Sequence, residues 1–599
     1  MWDKSVEPNR FRFWTYPLTL ATCRAFREEF GDDMVIGDTL SAWAWDQRRV
    51  EEELEALRAG VDSDMPYVRD EAPALWGALQ NRPFQITGAN FVAKGRRVCL
   101  GDEPRLGKTY QALAAIVEYG AERTLIGCPR VATRTVWARK IKELLGETAF
   151  VAQGSRHVRE RVFKEFNKVD GPKFLIMNLE MMRVVRKYAC PDGTEYKARA
   201  GKKGGCQEDH DHKTVYYPEY TELFDEPWDA IVLDESHNAL AASKHQISDG
   251  IPQIRLGAVR LPLADDGMKI AMSGTWLRSD LVRSWGTLNW LDNKQFSSYW
   301  KYAEQFFGVT QDKWGGYHVG AKPLNQKAFT DMLRPYYLAR TKAEVAPQLK
   351  PIEYAGTPPA GNPDGSVGVY IDMDNKQAKA YMEVEDLGLV HLADGSVMLV
   401  NGDLAELTRL KQFAIAHGVT GTDGKFTPSL PSNKLDWILE FLEERKDLDG
   451  KVVIASQFTK IVHLFTDQIR KAGWEVVEIT GDSSDAQRDH AQDVFMDGSP
   501  RVAFINVFAG GEAIDLSAAD EMIFVDEPWK DHQITQAENR VQSLAKKQQI
   551  TVYRLRSAGT IDEIIAEMTA EQRENLLAGR VAALPNSLPN NVAGLGRST

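Results

Sequence analysis

A chain of 599 residues with 43% apolar and 26% charged side chains and a net charge of −12 is too long for one core and too polar for a fibrous or membrane-embedded protein. No apolar run approaches the roughly 20 residues that cross a bilayer, and Met1 to Arg10 shows no apolar signal region, so a cytoplasmic protein without a membrane partner is expected. Five scattered cysteines argue against a disulfide framework, and the acidic balance leaves any nucleic-acid contact to local basic clusters.

Residues 1–80 carry aromatic clusters (Phe11, Phe13, Trp14, Tyr16; Trp43, Trp45) and an acidic helix predicted over Gln47–Arg58, read here as a small accessory domain with an aromatic core. Asn81-Arg82-Pro83-Phe84-Gln85 follows, where a glutamine can meet both the donor and the acceptor edge of adenine. The apolar run Val98–Leu100 then enters Gly101-Asp102-Glu103-Pro104-Arg105-Leu106-Gly107-Lys108-Thr109, and helical periodicity continues to Tyr119. A loop between strand and helix of this kind wraps backbone N–H groups around a polyphosphate, sets Lys108 on the outer phosphates and offers the Thr109 hydroxyl to Mg²⁺. Asp102 stands where the usual loop has its first glycine.

From Gly101 onward strands alternate with helices, predicting a parallel α/β domain with strands over Thr124–Ile126, Phe174–Met177, Ile231–Leu233 and Lys269–Met272. Ligands of such sheets sit outside the carboxyl ends of the strands. The first of those ends is Cys128-Pro129-Arg130, followed by a helix with Arg134, Trp137, Arg139, Lys140 and Lys142 that is either a solvated face or a phosphate grip. The next is Asp234-Glu235-Ser236-His237, where Asp234 can hold Mg²⁺ and Glu235 can orient and deprotonate a water. The last is Ser273-Gly274-Thr275-Trp276, placed to relay the state of the phosphate site. Between them an insertion from Cys190 to about Tyr217 offers Cys190, Cys206, His210 and His212, residue types that zinc accepts, though without a Cys-x-x-Cys knuckle. The other reading of the insertion is a flexible basic loop.

Trp- and Tyr-rich helical segments follow residue 276, and Pro347, Pro351, Pro358, Pro359 and Pro363 mark a linker. A second α/β pattern has strands near Val452–Ala455, Val476–Ile479, Val502–Ile505, Met522–Val525 and Thr551–Leu555, with no second phosphate loop. One nucleotide loop shared by two such domains predicts a site completed by an arginine of the second.

The ordered series resembles the Swi/Snf-type branch of the superfamily-two helicase-like ATPases over residues 80 to 570. Its signposts are Arg82 to Gln85, Asp102 to Thr109, Cys128-Pro129, Asp234 to His237, Ser273 to Thr275, Leu338-Ala339-Arg340-Thr341-Lys342 and the Leu404 to Phe413 helix. They continue through Ser456-Gln457-Phe458, Ala509-Gly510-Gly511, Asp526-Glu527-Pro528-Trp529, Gln536 to Arg540 and Gly559 to Glu563. The resemblance implies two RecA-like parallel-sheet domains with helical protrusions. The first spans residues 81–345 with the insertion at 190–217 and a protrusion at 276–340; the second spans 346–570 with a protrusion at 372–430, and 571–599 form a tail. It further implies ATP and Mg²⁺ as cofactors and duplex or branched DNA as partner. Arg82 and Gln85 would contact adenine, Gly107, Lys108 and Thr109 the phosphates, and Arg540 the γ-phosphate, with Gln536 and Gly511 lining the same cleft. Arg130, Ser456, Gln457 and Gly510 would touch one DNA strand, and Trp529 would couple DNA contact to hydrolysis.

Three departures stand out. Pro104 and Arg105 replace Met and Gly in the family's phosphate loop, and Ser543 stands where a second arginine belongs, so that either Arg540 serves alone, Lys546 or Lys547 substitutes, or hydrolysis is slow, with Arg105 expected to compensate in part. The predicted function is an ATP-driven translocase or remodeller on duplex or branched DNA, expected as a monomer in a bacterial or viral setting that works with replication or recombination proteins. The alternatives are a strand-separating or fork-rewinding helicase and, from another class, a nucleotide-gated DNA clamp with little turnover.

Overall fold

The computed structural model describes residues 18–567 except 19, 62–63, 192–193, 198–212, 241–252, 275, 277–280, 314, 359–365, 392–396, 400–403, 422–424, 510–513, 530, 545 and 547. The chain divides into two compact units, Met1–Val345 and Ala346–Thr599.

The first unit is built on seven strands, β1 (Arg97–Leu100), β2 (Arg123–Cys128), β3 (Phe150–Ala152), β4 (Lys173–Asn178), β5 (Trp228–Leu233), β6 (Leu263–Met272) and β7 (Tyr337–Leu338), in the order β7-β1-β6-β5-β2-β4-β3. Every neighbouring pair is parallel. The sequence predicts β2, β4, β5 and β6 to within a few residues because strands buried on both faces read as continuous apolar runs. The edge strands β3 and β7 carry too few apolar residues to announce themselves. The order matters for function: the carboxyl ends of β7, β1, β6, β5 and β2 lie side by side, with Leu100 opposite both Leu338 and Met272, and Leu233 opposite both Ala271 and Gly127. Segments far apart in sequence therefore open onto one edge.

Helix α1 (Asp38–Arg58) is longer than predicted and packs along α2 (Pro83–Gly95). Arg58 donates to the carbonyls of Arg334 and Tyr337 at 2.7 Å each, fastening the N-terminal helices to the end of the unit. Of the aromatics expected to form a core here, Trp45 is 66% exposed and Trp43 half-buried, while Phe11, Phe13, Trp14 and Tyr16 lie outside the described residues; buried anchors among the described residues include Leu54, Val68, Leu75 and Leu79. Helix α3 (Lys108–Tyr119) starts after Gly107 and ends at Gly120, both in the left-handed region that glycine enters without steric penalty. Among the described residues the predicted helical segment after residue 276 contains the helices Ser284–Leu291, Tyr299–Phe306 and Gln326–Leu333, whose Trp285, Trp290, Tyr299 and Phe329, with Phe296 between the first two, join the same apolar core as β2, β4 and β5. The described residues of the insertion, in Glu195–Lys197 and Lys213–Pro218, pair antiparallel with Val184–Ala189 just before it, and Arg199, Lys202 and Lys203 of the expected basic loop lie outside the described residues.

Lys269 on β6 is buried, gives its ammonium to the Trp290 carbonyl at 2.8 Å, and burial lowers its pKa from 10.5 to about 8. Below about pH 8 the ammonium is charged in both folded and unfolded chains and its desolvation penalty is fully present; between about 8 and 10.5 the unfolded chain binds the extra proton, so stability rises with pH. Lys269→Met is expected to raise the thermal midpoint at pH 7 and to flatten that rise, as measured by thermal unfolding across pH 7 to 10.

The second unit repeats the architecture with β8 (Glu353–Ala355), β9 (Val369–Ile371), β10 (Val452–Ser456), β11 (Val476–Ile479), β12 (Val502–Asn506), β13 (Glu521–Phe524) and β14 (Thr551–Ser557). Its order is β8-β14-β13-β10-β12-β11, with β9 on β14, again parallel throughout. Helices α4 (Leu404–Ile415), α5 (Asn433–Glu444) and α6 (Thr459–Lys471) cover one face. Among the described residues no helix is long and apolar enough to cross a membrane.

Candidate active site

The loop after β1 is held from below by a residue of the chain's middle. Asp102 is fully buried and its carboxylate accepts two bonds from the Arg340 guanidinium, Nε to Oδ1 at 3.0 Å and a terminal nitrogen to Oδ2 at 2.5 Å, and a third from Gln111 Nε2 at 3.0 Å. Arg340 also donates to the Phe84 carbonyl and, at 2.8 Å, to Gln111 Oε1, so one side chain ties together the loop, α2 and α3. Arg340 reaches Asp102 because β7 lies next to β1, a neighbourhood that no local pattern reveals. The residue that breaks the glycine pattern is thus the loop's anchor.

Above this anchor, Lys108 donates to the Asp102 carbonyl at 2.8 Å, and Thr109 lies half-buried in the first turn of α3, whose N–H groups face out of the helix end. Gln85 is fully buried; its Nε2 donates to the Leu106 carbonyl at 2.9 Å, while Oε1 has no hydrogen-bond partner among the described residues. A Cβ on Gly107 would come within 2.2 Å of Gln85 Nε2, so the backbone passes the amide at a distance only glycine allows. An unsatisfied buried amide oxygen beside an open helix N-terminus and an ammonium fits an adenine nucleotide polyphosphate. Arg82 is the half-buried residue preceding α2.

Arg105 has φ 71°, the left-handed conformation in which the family's loop has glycine and where a Cβ costs about 1–2 kcal/mol. Arg105→Gly is therefore expected to stabilise the fold by about 0.5–1 kcal/mol and so raise the thermal midpoint slightly, while weakening nucleotide binding if the guanidinium serves the phosphates. Calorimetric unfolding and nucleotide titration separate the two effects by their opposite signs.

β5 delivers the acid pair. Asp234 is fixed three ways: its N–H donates to the Gly127 carbonyl at 2.8 Å, Oδ1 accepts the Glu235 N–H at 3.0 Å, and Oδ2 accepts Trp137 Nε1 at 3.0 Å. Glu235 is buried at φ 47°, a strained conformation for a residue with a side chain, and its Oε2 lies 3.3 Å from His237 Nδ1. His237 Nδ1 is in turn 2.9 Å from Ser273 Oγ at the end of β6, and a Cβ on Gly274 would meet Pro104 Cδ at 2.9 Å. His237 thus links Glu235 to the Ser-Gly segment, and that segment packs on Pro104 of the phosphate loop; Thr275 lies outside the described residues. Burial pushes the Cys99 and Cys128 thiols up, which leaves them without thiolate chemistry at neutral pH.

The basic stretch after Arg130 is neither a plain solvated face nor a uniform grip. Arg130 is exposed, Arg139 and Lys140 pair with Glu143 at 2.9 and 2.8 Å, and Trp137 is fully buried against Asp234. Sequence reasoning counted Trp137 with the basic cluster and missed its partner.

In the second unit, the carboxyl ends of β13 and β10 meet. Ser456 is buried and gives its hydroxyl to Asp526 at 2.5 Å; the Gln457 N–H joins the same carboxylate at 3.2 Å and its side chain donates to the Glu527 carbonyl at 3.2 Å. The Ser456 hydroxyl and Gln457 thus shape the loop from within, the Gln457 carbonyl also accepting from Asn506 Nδ2 at 3.0 Å. Trp529 lies 4.7 Å under the ammonium of Lys411 on α4, whose pKa burial lowers. Gln536 is half-buried on α7 (Asp531–Asn539), and Arg540, just beyond it, is buried with a nitrogen 2.8 Å from the Val507 carbonyl. Lys546 is corrected as a substitute cation: its ammonium is held by Asp520 at 3.1 Å and the Ser517 carbonyl at 2.9 Å. Gly510, Gly511 and Lys547 lie outside the described residues. So do Cys206, His210 and His212 of the zinc set; Cys190 is buried, and no metal-binding group occurs among the described residues.

Residues 84–413 match the family model described as an SNF2-related domain, and residues 433–545 match a helicase conserved C-terminal domain. The CHD3-type chromatin-remodeling factor PICKLE of Arabidopsis thaliana is 22% identical over 86% of this chain and 35% of that protein. The ISWI chromatin-remodeling complex ATPase ISW1 of Saccharomyces cerevisiae is 22% identical over 84% of this chain and 40% of its own length. The chain thus spans well under half the length of these curated relatives. The Sulfolobus solfataricus SWI2/SNF2 ATPase core in complex with dsDNA is 20% identical, covering 83% of this chain and 93% of that one, with a TM-score of 0.35.

Proposed function

The chain belongs to the SNF2-related family, and from that premise we propose that it is a DNA-dependent ATPase that translocates on or remodels duplex or branched DNA. The observation that carries the reading is the shared strand edge, where Glu235 reaches the Ser-Gly segment through His237 and that segment packs on the phosphate loop. In this reading Gln85 and Arg82 recognise adenine, Lys108 and the N-terminus of α3 hold the phosphates, and Thr109 and Asp234 hold Mg²⁺. Bound Mg²⁺ supplies neutralisation of phosphate charge. Glu235 orients a water and takes its proton on the carboxylate, and His237 reports the state of that carboxylate to Ser273. The roles of Gln536 and Arg540 rest on family membership, as do strand contacts by Arg130, Gln457, Gly510 and Trp529.

Steady-state ATP hydrolysis with duplex, single-stranded and branched DNA at stated salt tests the proposal. Duplex is expected to stimulate turnover; equal rates with and without DNA would overturn it. Strand displacement on forked against blunt duplex identifies the helicase alternative, and ATP-dependent DNA binding with negligible turnover identifies the clamp.

A further inference from the structure

Between Arg130, the proposed strand contact, and the acid pair runs a continuous segment braced by its own hydrogen bonds. The Ala132 N–H donates to the Pro129 carbonyl at 2.9 Å, Thr133 Oγ1 to the Arg130 carbonyl at 2.8 Å, and Thr135 Oγ1 to the Val131 carbonyl at 2.7 Å. Thr133–Ala138 then form a π-type turn, a local widening found often at functional sites, before the α-helix Arg139–Leu145. The segment touches the nucleotide site at two points. Trp137, fully buried, donates Nε1 to Asp234 Oδ2 at 3.0 Å, and the Lys140 ammonium lies 5.4 Å from the ring centre of Tyr110, the residue after Thr109.

We infer that Trp137 is a positioning residue that couples DNA contact at 129–135 to the Asp234 carboxylate, setting how well that carboxylate holds a divalent cation. The inference rests on the functional reading above. Asp234 has one oxygen on its neighbour's N–H and the other on Trp137, so the indole is a donor that holds the carboxylate in its rotation about the last bond. The indole cannot shift without shifting the π-type turn, and the hydrogen-bonded segment transmits any displacement of Arg130 to that turn. A hydrogen bond to a charged group is strong enough for its loss to change an equilibrium about tenfold or more.

The test uses the full-length chain labelled with 5-fluorotryptophan, with the Trp137 resonance assigned through Trp137→Phe or, should that variant fail to fold, Trp137→Tyr. Addition of Mg²⁺ with a non-hydrolysable ATP analogue, and separately of a short duplex, is expected to move that resonance, and the two together to act non-additively. In a folded Trp137→Phe protein the Mg²⁺ concentration for half-maximal turnover is expected to rise about tenfold, and the stimulation by duplex to fall by a similar factor. A Trp137 resonance that ignores duplex, or a folded variant with unchanged Mg²⁺ requirement and stimulation, would overturn the coupling. A wild-type protein that neither binds the nucleotide nor responds to duplex would instead overturn the functional reading on which it stands.

Discussion

Glu235→Gln is expected to lower ATP turnover by about 10²–10⁴-fold while nucleotide and duplex binding persist. The substitution keeps side-chain volume and the hydrogen bonds that an amide can make, so the backbone at φ 47° and the contact with His237 need not change. What disappears is the carboxylate that orients and deprotonates the water. Single-turnover hydrolysis together with DNA binding by fluorescence anisotropy checks both halves; a variant as fast as the wild type would remove Glu235 from the chemistry.

The second large effect is structural in origin. Arg340→Ala leaves the fully buried Asp102 carboxylate with the Gln111 amide in place of the bidentate guanidinium, and breaking a buried ion pair from one side costs about 3–5 kcal/mol. The phosphate loop should loosen, nucleotide affinity should fall, and the first thermal transition should drop by several degrees. Arg340→Lys should rescue little, because one ammonium cannot reproduce the fork. Asp102→Asn in the Arg340→Ala background should recover part of the loss by removing the stranded charge. Hydrogen exchange of residues 101–107 localises the effect, and unchanged protection there in Arg340→Ala would show that the pair does not hold the loop.

Much of the chemistry was readable in one dimension because it is local. A loop between strand and helix ending in Gly107-Lys108-Thr109, and an apolar strand delivering Asp234-Glu235, need only a few consecutive residues to declare themselves. The buried strands β2, β4, β5 and β6 and their counterparts β10 to β14 were legible for the same reason. Legibility failed where a residue's meaning depends on a distant neighbour. Trp137 sits among arginines and lysines and looks like part of their face, yet its indole is buried on Asp234. Lys546 looks like a spare cation but is held by Asp520.

The sequence by itself determined the order of the motifs, the two parallel α/β patterns and the phosphate loop, because each is encoded in contiguous residues with their own periodicity. Only the tertiary structure decided which of them touch. The strand order β7-β1-β6-β5-β2 does not follow the chain, so Arg340 meets Asp102 across 238 positions and Ser273 meets His237 across 36. Pairings of that separation arise from sheet neighbourhood and leave no mark on the residues between.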